Sequence, residues 1–327
     1  MSHALYPLTF QPIFKDRVWG GRRLEELYGK PLPPGVPIGE SWEITDRPEG
    51  VSVVTNGPLA GRDLRWLMGN HARELLGDSR PCAGRFPLLV KILDAQEKLS
   101  LQVHPPAHRA AELRGEPKTE MWYVADATAD ADLFVGLRRG GTRAEFEQRI
   151  QDGSVAECFH RIPVKRGDSM FLPSGRVHAL GAGNVIFEIQ QNSDTTYRVF
   201  DWNRVGLDGK PRELHIPQAL ASIDFTDFEP SLAPAEWRVV GTAQMRRLAD
   251  CDLFTVDLLQ VAGLNGVNLG GNQVQVIAAT EGELTVRHQG ADVALRPGSF
   301  CVVPAVCASQ IQLRSAGGAT FLQAMAK

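Results

Sequence analysis

One short stretch puts a row of polar side chains on an otherwise apolar segment. Residues 99–104 read LSLQVH. Side chains alternate along a strand, so Ser100, Gln102 and His104 share one face and Leu101 and Val103 share the other. A hydroxyl, an amide and an imidazole in one row favour a face that lines a ligand cavity over one packed into an apolar core.

A carboxylate and a second imidazole complete a set of metal-ligand types. Glu120 begins the apolar run EMWYV, and His178 follows the turn LPSGRV. Together with Gln102 and His104 they offer two imidazoles, one carboxylate and one amide oxygen. This set suits Zn²⁺, Fe²⁺ or Mn²⁺ with positions left open for water or substrate, and residue types alone do not choose among the three ions.

A third charged group lies in the segment NVIFEIQQNSDTTYRVFDW, residues 184–202. Alternation puts Glu188 on the same face as Ile186 and Gln190, so we predict that Glu188 enters the same polar cavity. Arg198, and Arg204 just beyond the segment, are candidates for binding a phosphate or a developing oxyanion. Two solvent-facing arginines are the equally weighted alternative.

Other classes of function lack their signatures. The formal net charge of −3 argues against nucleic acid or an anionic membrane as the main partner. The chain contains no phosphate-binding loop, dinucleotide fingerprint or nucleophile elbow. No apolar run is long enough to span a bilayer, and the N-terminus does not resemble a signal peptide. Five irregularly spaced cysteines indicate free thiols in a reducing compartment, so we expect a cytoplasmic protein.

The elements that position these residues are mainly strands. Short apolar runs separated by glycine and proline predict a mainly β fold with inserted helices, and helical patterns cover 62–77, 142–153 and 212–223. An acidic, proline-containing segment at 224–237 is a candidate linker. We therefore predict two domains, a metal-binding catalytic domain with helical insertions at 1–237 and a second, metal-free β domain at 238–327.

An internal similarity suggests that the two domains are related copies. RGDSMFLPSGRVH at 166–178 and PGSFCVVPAVCAS at 297–309 share a glycine-to-proline spacing of six residues. His178 in the first copy corresponds by this alignment to Ser309 in the second. A duplicated pair of barrels, of which the second has lost its metal ligand, explains the pattern.

The motifs taken together resemble a known family. FKDRVWGG, GESWEIT, FPLLVKILDAQEKLSLQVHPP, KTEMWYV, LPSGRVHAL and EIQQNSDTTYRVFDWNR resemble type I mannose-6-phosphate isomerases, particularly the short bacterial form. The resemblance runs from about residue 7 to about residue 220, and in outline to the end. It implies two tandem cupin-like, jelly-roll β-barrels with inserted α-helices.

The resemblance also implies site residues and a cofactor. It implies one zinc ion per chain, held by Gln102, His104, Glu120 and His178. It assigns catalytic roles to Arg198, Glu188 and Lys118. Substrate contacts map onto Ser100, Lys91, Arg204 and Trp19, while Glu40 and Glu43 are expected to serve hydrogen-bonding, structural roles. The segment between His104 and Glu120 is shorter than in longer family members, which leaves the lid over the pocket undefined.

The implied reaction interconverts mannose 6-phosphate and fructose 6-phosphate by proton transfer between C1 and C2 through a cis-enediol. Glu188, Lys118 and a metal-activated water are the candidate bases, with Glu188 and Lys118 preferred as a working pair. Two alternatives stay open: another cupin enzyme, such as an iron dioxygenase or a different phosphosugar isomerase, and a sugar-binding module without turnover. A monomer is the default expectation for the oligomeric state.

Overall fold

The computed structural model describes residues 4–263 and 266–327. In these residues the strands are, in chain order, β1 Ile13–Gly21, β2 Ile38–Ile44, β3 Asp46–Arg47, β4 Gly50–Val51, β5 Leu88–Ala95, β6 Leu101–Val103, β7 Glu120–Ala127, β8 Asp132–Leu137, β9 Phe159–Pro163, β10 Ser169–Leu172, β11 His178–Leu180, β12 Asn184–Gln191, β13 Tyr197–Phe200, β14 Arg238–Val240, β15 Ala243–Asp250, β16 Phe254–Val261, β17 Val267–Asn268, β18 Gln275–Glu281, β19 Leu284–His288, β20 Ala291–Leu295, β21 Phe300–Val303, β22 Ile311–Arg314 and β23 Ala319–Ala326. The helices are α1 Arg23–Tyr28, α2 Leu64–Leu76, α3 Ala107–Ala110, α4 Arg143–Asp152 and α5 Ile216–Ser222, with 3₁₀ turns at Gly57–Leu59, Val155–Cys158 and Ala305–Gln310.

The strands form two units of the same topology. In the first unit the sheets have the orders β1-β2-β5-β12-β7-β10 and β13-β6-β11-β8-β9. In the second unit the orders are β14-β15-β16-β23-β18-β21 and β17-β22-β19-β20. From β2 onward the two larger sheets match strand for strand. The prediction of a mainly β, cupin-like pair of units with inserted helices is confirmed, although each unit is two facing sheets rather than a closed barrel.

The larger sheet of the first unit is buried on both faces. On one face Leu93, Trp122 and Ile186 pack against Leu133 and Leu180 of the opposing sheet. On the other face apolar residues of the same strands join a core that continues into the second unit, among them Val90, Met121, Phe187, Val276 and Phe300. Alternation along β12 therefore turns Phe187 toward the second unit and Glu188 toward the interior of the first.

Phe187 offers a direct test of how tightly the units are joined. Its ring is fully buried and lies 5.7 Å from that of Tyr28 and 5.4 Å from that of Phe300, centroid to centroid. Phe187→Ala removes these contacts and leaves a cavity, so we expect the free energy of unfolding to fall by about 3–5 kcal/mol. Chemical denaturation measures this change, and a loss below about 1 kcal/mol would contradict the packing described.

The predicted helices are confirmed at two of three positions. Helix α2 lies within 62–77, and α4 has Thr142 as its N-cap, with Thr142 Oγ1 accepting from the Glu145 amide, and Gly153 in the left-handed conformation at its end. The prediction of a helix from residue 212 was wrong at its start, since α5 begins at Ile216. Pro217 lacks an amide hydrogen and is tolerated only in a first turn, which fixes the start there. The short helices α1 and α3 were not predicted.

Within residues 4–263 and 266–327, the helices are all too short or too polar to cross a bilayer.

Candidate active site

Three predicted metal ligands meet inside the first unit. His104 follows β6, Glu120 begins β7 and His178 begins β11, and all three side chains are at most 1% exposed. One ligand atom from each lies within 4.8 Å of the others. The smaller sheet brings the two histidines near each other, because His178 pairs with Gln102 across β11 and β6, and Glu120 comes from β7 of the larger sheet.

Backbone carbonyls orient both imidazoles. His104 Nδ1 donates to the carbonyl of Thr195 at 2.7 Å, and His178 Nδ1 donates to the carbonyl of Arg176 at 2.9 Å. Each bond leaves Nε2 as the atom with a free lone pair, as metal-binding histidines require. The turn before His178 is tied to His104 as well: Gly175, at φ +92°, donates its amide to the His104 carbonyl at 2.9 Å.

The electrostatics favour an ionised Glu120 beside a neutral His104. Burial alone raises the pKa of Glu120, but nearby positive charge, that of Lys118 first, outweighs it and holds the pKa well below its usual range. Lys118 Nζ lies 2.8 Å from Glu120 Oε2. Burial, with Lys118 adding to it, lowers the pKa of His104 to about 3. These are the protonation states in which a carboxylate and an imidazole bind a cation.

Gln102 can complete the ligand set after one amide rotation. Its Nε2 lies 3.3 Å from His178 Nε2, and its Oε1 lies 3.3 Å from Ser100 Oγ. The two ends of an amide have the same shape, so a half-turn exchanges them. The rotated amide turns its oxygen toward the cluster while Nε2 donates to Ser100.

The cluster fits a metal ion because several of its polar atoms lack a well-formed hydrogen bond, although Glu120 Oε2 is also ion-paired with Lys118. Among the described residues His104 Nε2 and both carboxylate oxygens of Glu120 are buried without a hydrogen-bond partner of good geometry. Buried polar atoms without partners cost about 1–3 kcal/mol each, and more when charged. Ligand atoms of His104, Glu120 and His178, one from each, lie within 4.8 Å of one another, and two imidazoles with a carboxylate suit zinc among other divalent ions.

A cavity of about 400 Å³ opens beside this cluster. Its lining brings together most of the residues predicted from sequence, namely Trp19, Lys91, Ser100, Gln102, Lys118, Glu188 and Arg198. Lys118 and Glu188 are at most 4% exposed, and their charges are close enough to affect each other's pKa.

Glu188 is held at one oxygen. Trp122 Nε1 donates to Glu188 Oε1 at 2.9 Å, and Lys91 Nζ lies 3.5 Å from Oε2. Burial is the largest influence and raises the pKa of Glu188, although Lys118 and Lys91 oppose it. The result is a carboxylate fixed in orientation with Oε2 toward the lysines.

Lys91 lies among several acidic groups. Its ammonium is 3.4 Å from Asp194, 3.5 Å from Glu188 and 3.6 Å from Glu40. Burial opposes its charge, but these carboxylates outweigh burial and raise the pKa of Lys91. The position predicted for substrate contact is therefore in the cavity, yet its charge is already balanced by protein.

Arg198 has unused hydrogen-bonding capacity. Its Nη1 donates to the carbonyl of Glu213 at 2.7 Å, whereas its buried Nε finds no acceptor in residues 4–263 and 266–327. Burial, together with Arg212, lowers its pKa from the usual value for arginine.

The prediction that Arg204 contacts substrate does not fit its position. Arg204 does not line the cavity. Its guanidinium donates to Asp201 Oδ1 at 2.8 Å and to the Lys98 carbonyl at 2.6 Å, so it serves the surrounding loop. Sequence alignment to the family motif places a residue along the chain but not the direction in which its side chain turns.

Five polar residues of the cavity lining were not predicted as site residues. They are Arg17, Glu40, Asp194, Thr196 and Arg212, and the apolar Leu93 and Leu99 join them. Glu40 accepts from Arg17 Nε at 2.7 Å and from Trp42 Nε1 at 2.6 Å, so its predicted hydrogen-bonding role is consistent with the contacts, but it also faces the cavity. Arg17 lies in the motif FKDRVWGG and Asp194 in NSD. Their presence in these family motifs was the only sequence feature that could have indicated a place in the cavity.

The second unit has different residues at the corresponding positions. Glu120 pairs with Leu172 and Gln190, and at the same place in the matching strands Gln275 pairs with Val303 and Met325. His178 begins β11 as Ile311 begins β22. The prediction of Ser309 as the counterpart of His178 was wrong by two residues. The connection that leads into β22 contains the six-residue 3₁₀ turn Ala305–Gln310. An amide and an alkyl side chain stand where the first unit has carboxylate and imidazole.

Known proteins resemble this chain along nearly its whole length. Residues 8–136 match the model of the phosphomannose isomerase type I catalytic domain. The chain is 38% identical to mannose-6-phosphate isomerase of Streptococcus mutans over 300 residues, 91% of this chain and 92% of that protein. The crystal structure of mannose 6-phosphate isomerase from Bacillus subtilis superposes with a TM-score of 0.88 at 30% identity, covering 97% and 99% of the two chains.

A more distant solved structure, a zinc-bound mannose 6-phosphate isomerase, has a TM-score of 0.76 at 18% identity and covers 98% of this chain and 99% of that one, a likeness of fold alone. The nearly full-length similarity to the Streptococcus protein carries the assignment. The chain belongs to the type I phosphomannose isomerase family, a family of aldose–ketose isomerases.

Proposed function

We propose that this protein interconverts mannose 6-phosphate and fructose 6-phosphate, with one zinc ion held by Gln102, His104, Glu120 and His178. The observation that carries the proposal is the buried His–Glu–His cluster with unsatisfied donor atoms beside a cavity lined by both acids and cations. When bound, zinc supplies Lewis-acid polarisation of the sugar oxygens at C1 and C2.

Glu188 is the proposed base. Its Oε2 removes the proton from C2 of the open-chain aldose, and the electrons of that C–H bond form the C1–C2 double bond of the enediol. The π electrons of the C1 carbonyl move onto O1, which takes a proton to complete the enediol. Return of the first proton from Glu188 to C1, with the O2 hydroxyl proton passing back to the group that protonated O1 as the C2 carbonyl forms, gives the ketose. Trp122 fixes Oε1, which leaves Oε2 as the atom that carries the proton. Lys118, between Glu188 and Glu120, is the proposed partner that gives a proton to the adjacent sugar oxygen.

The remaining residues hold the substrate. Arg198 is proposed to stabilise negative charge on the enediolate oxygen, using the guanidinium edge that has no protein acceptor. Ser100 and Lys91 offer polar contacts, and the buried ring of Trp19 gives the cavity an apolar wall. Fixing an open-chain sugar in this way lowers the entropic part of the barrier.

The reaction is tested by giving zinc-loaded protein mannose 6-phosphate and following fructose 6-phosphate. We expect conversion in both directions and no oxygen uptake. Unphosphorylated mannose should be a far poorer substrate. Absence of any conversion, with zinc bound stoichiometrically, would contradict the proposal.

Glu188→Gln isolates the proton-transfer role. The amide keeps the shape and accepts from Trp122 but cannot take a proton, so we expect kcat to fall by about 10²–10⁴-fold with zinc content unchanged. Steady-state kinetics and metal analysis measure the two quantities. Glu43→Gln is the matched control. Glu43 is a buried carboxylate whose Oε1 lies 2.6 Å from Lys30 Nζ, and it does not line the cavity. Wild-type kcat in Glu188→Gln would refute the assignment.

Three coarser features belong to the same proposal. We propose a boundary near residue 237, supported by the sheets, each of which takes its strands from one side of that residue only. We propose a cytoplasmic location, supported by five free cysteines. We also propose a monomer, which light scattering can test directly.

A further inference from the structure

A buried aspartate next to the cavity holds two arginines at once. Asp201 follows β13 and is 5% exposed. Its Oδ2 accepts from Arg212 Nε at 2.7 Å, and its Oδ1 accepts from Arg212 Nη2 at 2.5 Å and from Arg204 Nη2 at 2.8 Å. The paired bonds to Arg212 form a bidentate contact, which fixes direction as well as distance.

The two arginines face different surroundings. Arg204 also donates to the Lys98 carbonyl, lies 3.5 Å from the exposed Glu97 and stays outside the cavity. Arg212 lines the cavity. Asp201 takes up one edge of its guanidinium, and Nη1 makes no hydrogen bond to any described residue. The Nη1 side of the Arg212 guanidinium is therefore the side that does not bond to Asp201.

Charge is distributed unevenly along the cavity. At Lys91 three carboxylates surround one ammonium. At Asp201 a single carboxylate meets two guanidinium groups, and Arg198 lies near enough for Arg212 to lower its pKa. Arg17, which pairs with Glu40 at 2.7 Å, offsets part of the negative charge at the first location, and a dianionic phosphate is favoured at the second location over the first. The hydroxyl groups of Ser100 and Thr196 line the same cavity and add neutral donors.

We propose that Arg212 binds the phosphate group of the substrate and that Asp201 is the positioning residue that aims it. This inference rests on the proposed function, since it assumes a phosphosugar in the cavity. It replaces Arg204 and Lys91, the positions that the family motifs suggest, with a residue outside those motifs. A contact to the phosphate, far from C1 and C2, stabilises the bound substrate and the transition state by similar amounts. Its loss therefore raises KM more than it lowers kcat.

The test compares Arg212→Met, Arg212→Lys and Asp201→Asn in zinc-loaded protein. We expect Arg212→Met and Asp201→Asn to raise KM for mannose 6-phosphate at least about tenfold, with kcat within about threefold of wild type. Arg212→Lys should recover only part of the loss, because an ammonium lacks the planar fork. Binding of glucitol 6-phosphate, an open-chain phosphate that cannot isomerise, should weaken by the same factor in calorimetry.

Asp257→Asn is the matched control. Asp257 is a buried aspartate that accepts from Arg247 Nε at 2.5 Å in the second unit, away from this cavity. It should leave KM and glucitol 6-phosphate binding unchanged. If Arg212→Met kept the wild-type KM and affinity, the phosphate assignment would be overturned. If only Asp201→Asn kept them, the positioning role would be overturned.

The outcomes also separate this inference from the proposed reaction. Wild-type protein that binds glucitol 6-phosphate through Arg212 but converts no mannose 6-phosphate would support the phosphate assignment and contradict the isomerase. Normal turnover with an unaffected Arg212→Met variant would do the reverse.

Discussion

His178→Ala should release nearly all bound zinc and abolish turnover. His178 supplies one of the two imidazoles of the cluster, and its Nε2 lies 3.1 Å from Glu120 Oε1. Changes to groups that merely support a metal ligand already cost about 10–100-fold in metal affinity or activity, so losing a ligand itself should cost at least that. Metal analysis after dialysis against a weak chelator, together with a turnover assay, measures both effects.

His288→Ala serves as the control for His178→Ala. His288 is a buried histidine at the end of β19 and pairs with Ile311, the counterpart of His178 in the second unit. We expect this variant to keep one zinc per chain. A His178→Ala protein that retained stoichiometric zinc would contradict the ligand assignment, and a second zinc lost from His288→Ala would contradict a metal-free second unit.

Arg198→Ala should retain zinc but lose about 10²–10³-fold in kcat. Removing a single donor that stabilises a developing oxyanion typically has this effect. The guanidinium lies beside the metal-ligand strand, since Arg198 pairs with Gln102 across β13 and β6. Steady-state kinetics with metal analysis separate this outcome from that of Arg212→Met, for which KM rises and kcat is nearly kept.

The control for Arg198→Ala is Arg246→Ala. Arg246 is a buried arginine, and like the half-buried Arg198 it bonds to backbone carbonyls, here those of Pro234, Gly167 and Ala233. Its loss should lower the melting temperature without changing kcat. If Arg198→Ala turned over at the wild-type rate, its proposed role in the reaction would be wrong.

Alternation in strands made much of the site predictable. Ser100, Gln102 and Glu188 all line the cavity, as the two-residue period of a strand predicts. Their apolar neighbours Leu101 and Phe187 lie on the opposite faces of their strands and pack into apolar cores. Thr142 and Gly153 marked α4 through local capping, which depends on neighbouring residues alone.

Long-range geometry accounts for what the sequence did not reveal. Arg204 and Arg212 are eight residues apart and both bond to Asp201, yet only Arg212 lines the cavity, which the spacing along the chain does not reveal. The counterpart of His178 was misplaced by two residues because a fixed spacing cannot register the longer turn before Ile311. The start of α5 was missed because the helical pattern extends back to residue 212, whereas Pro217 is tolerated only in the first turn of a helix.

We propose that the cluster of His104, Glu120 and His178 holds the zinc ion that this isomerisation requires. The most direct test of this claim is to strip the protein with a chelator, assay conversion of mannose 6-phosphate to fructose 6-phosphate, and assay again after reloading with Zn²⁺. We predict that activity disappears and returns in proportion to zinc bound, up to one ion per chain. Full activity in protein shown to be free of metal would contradict the claim.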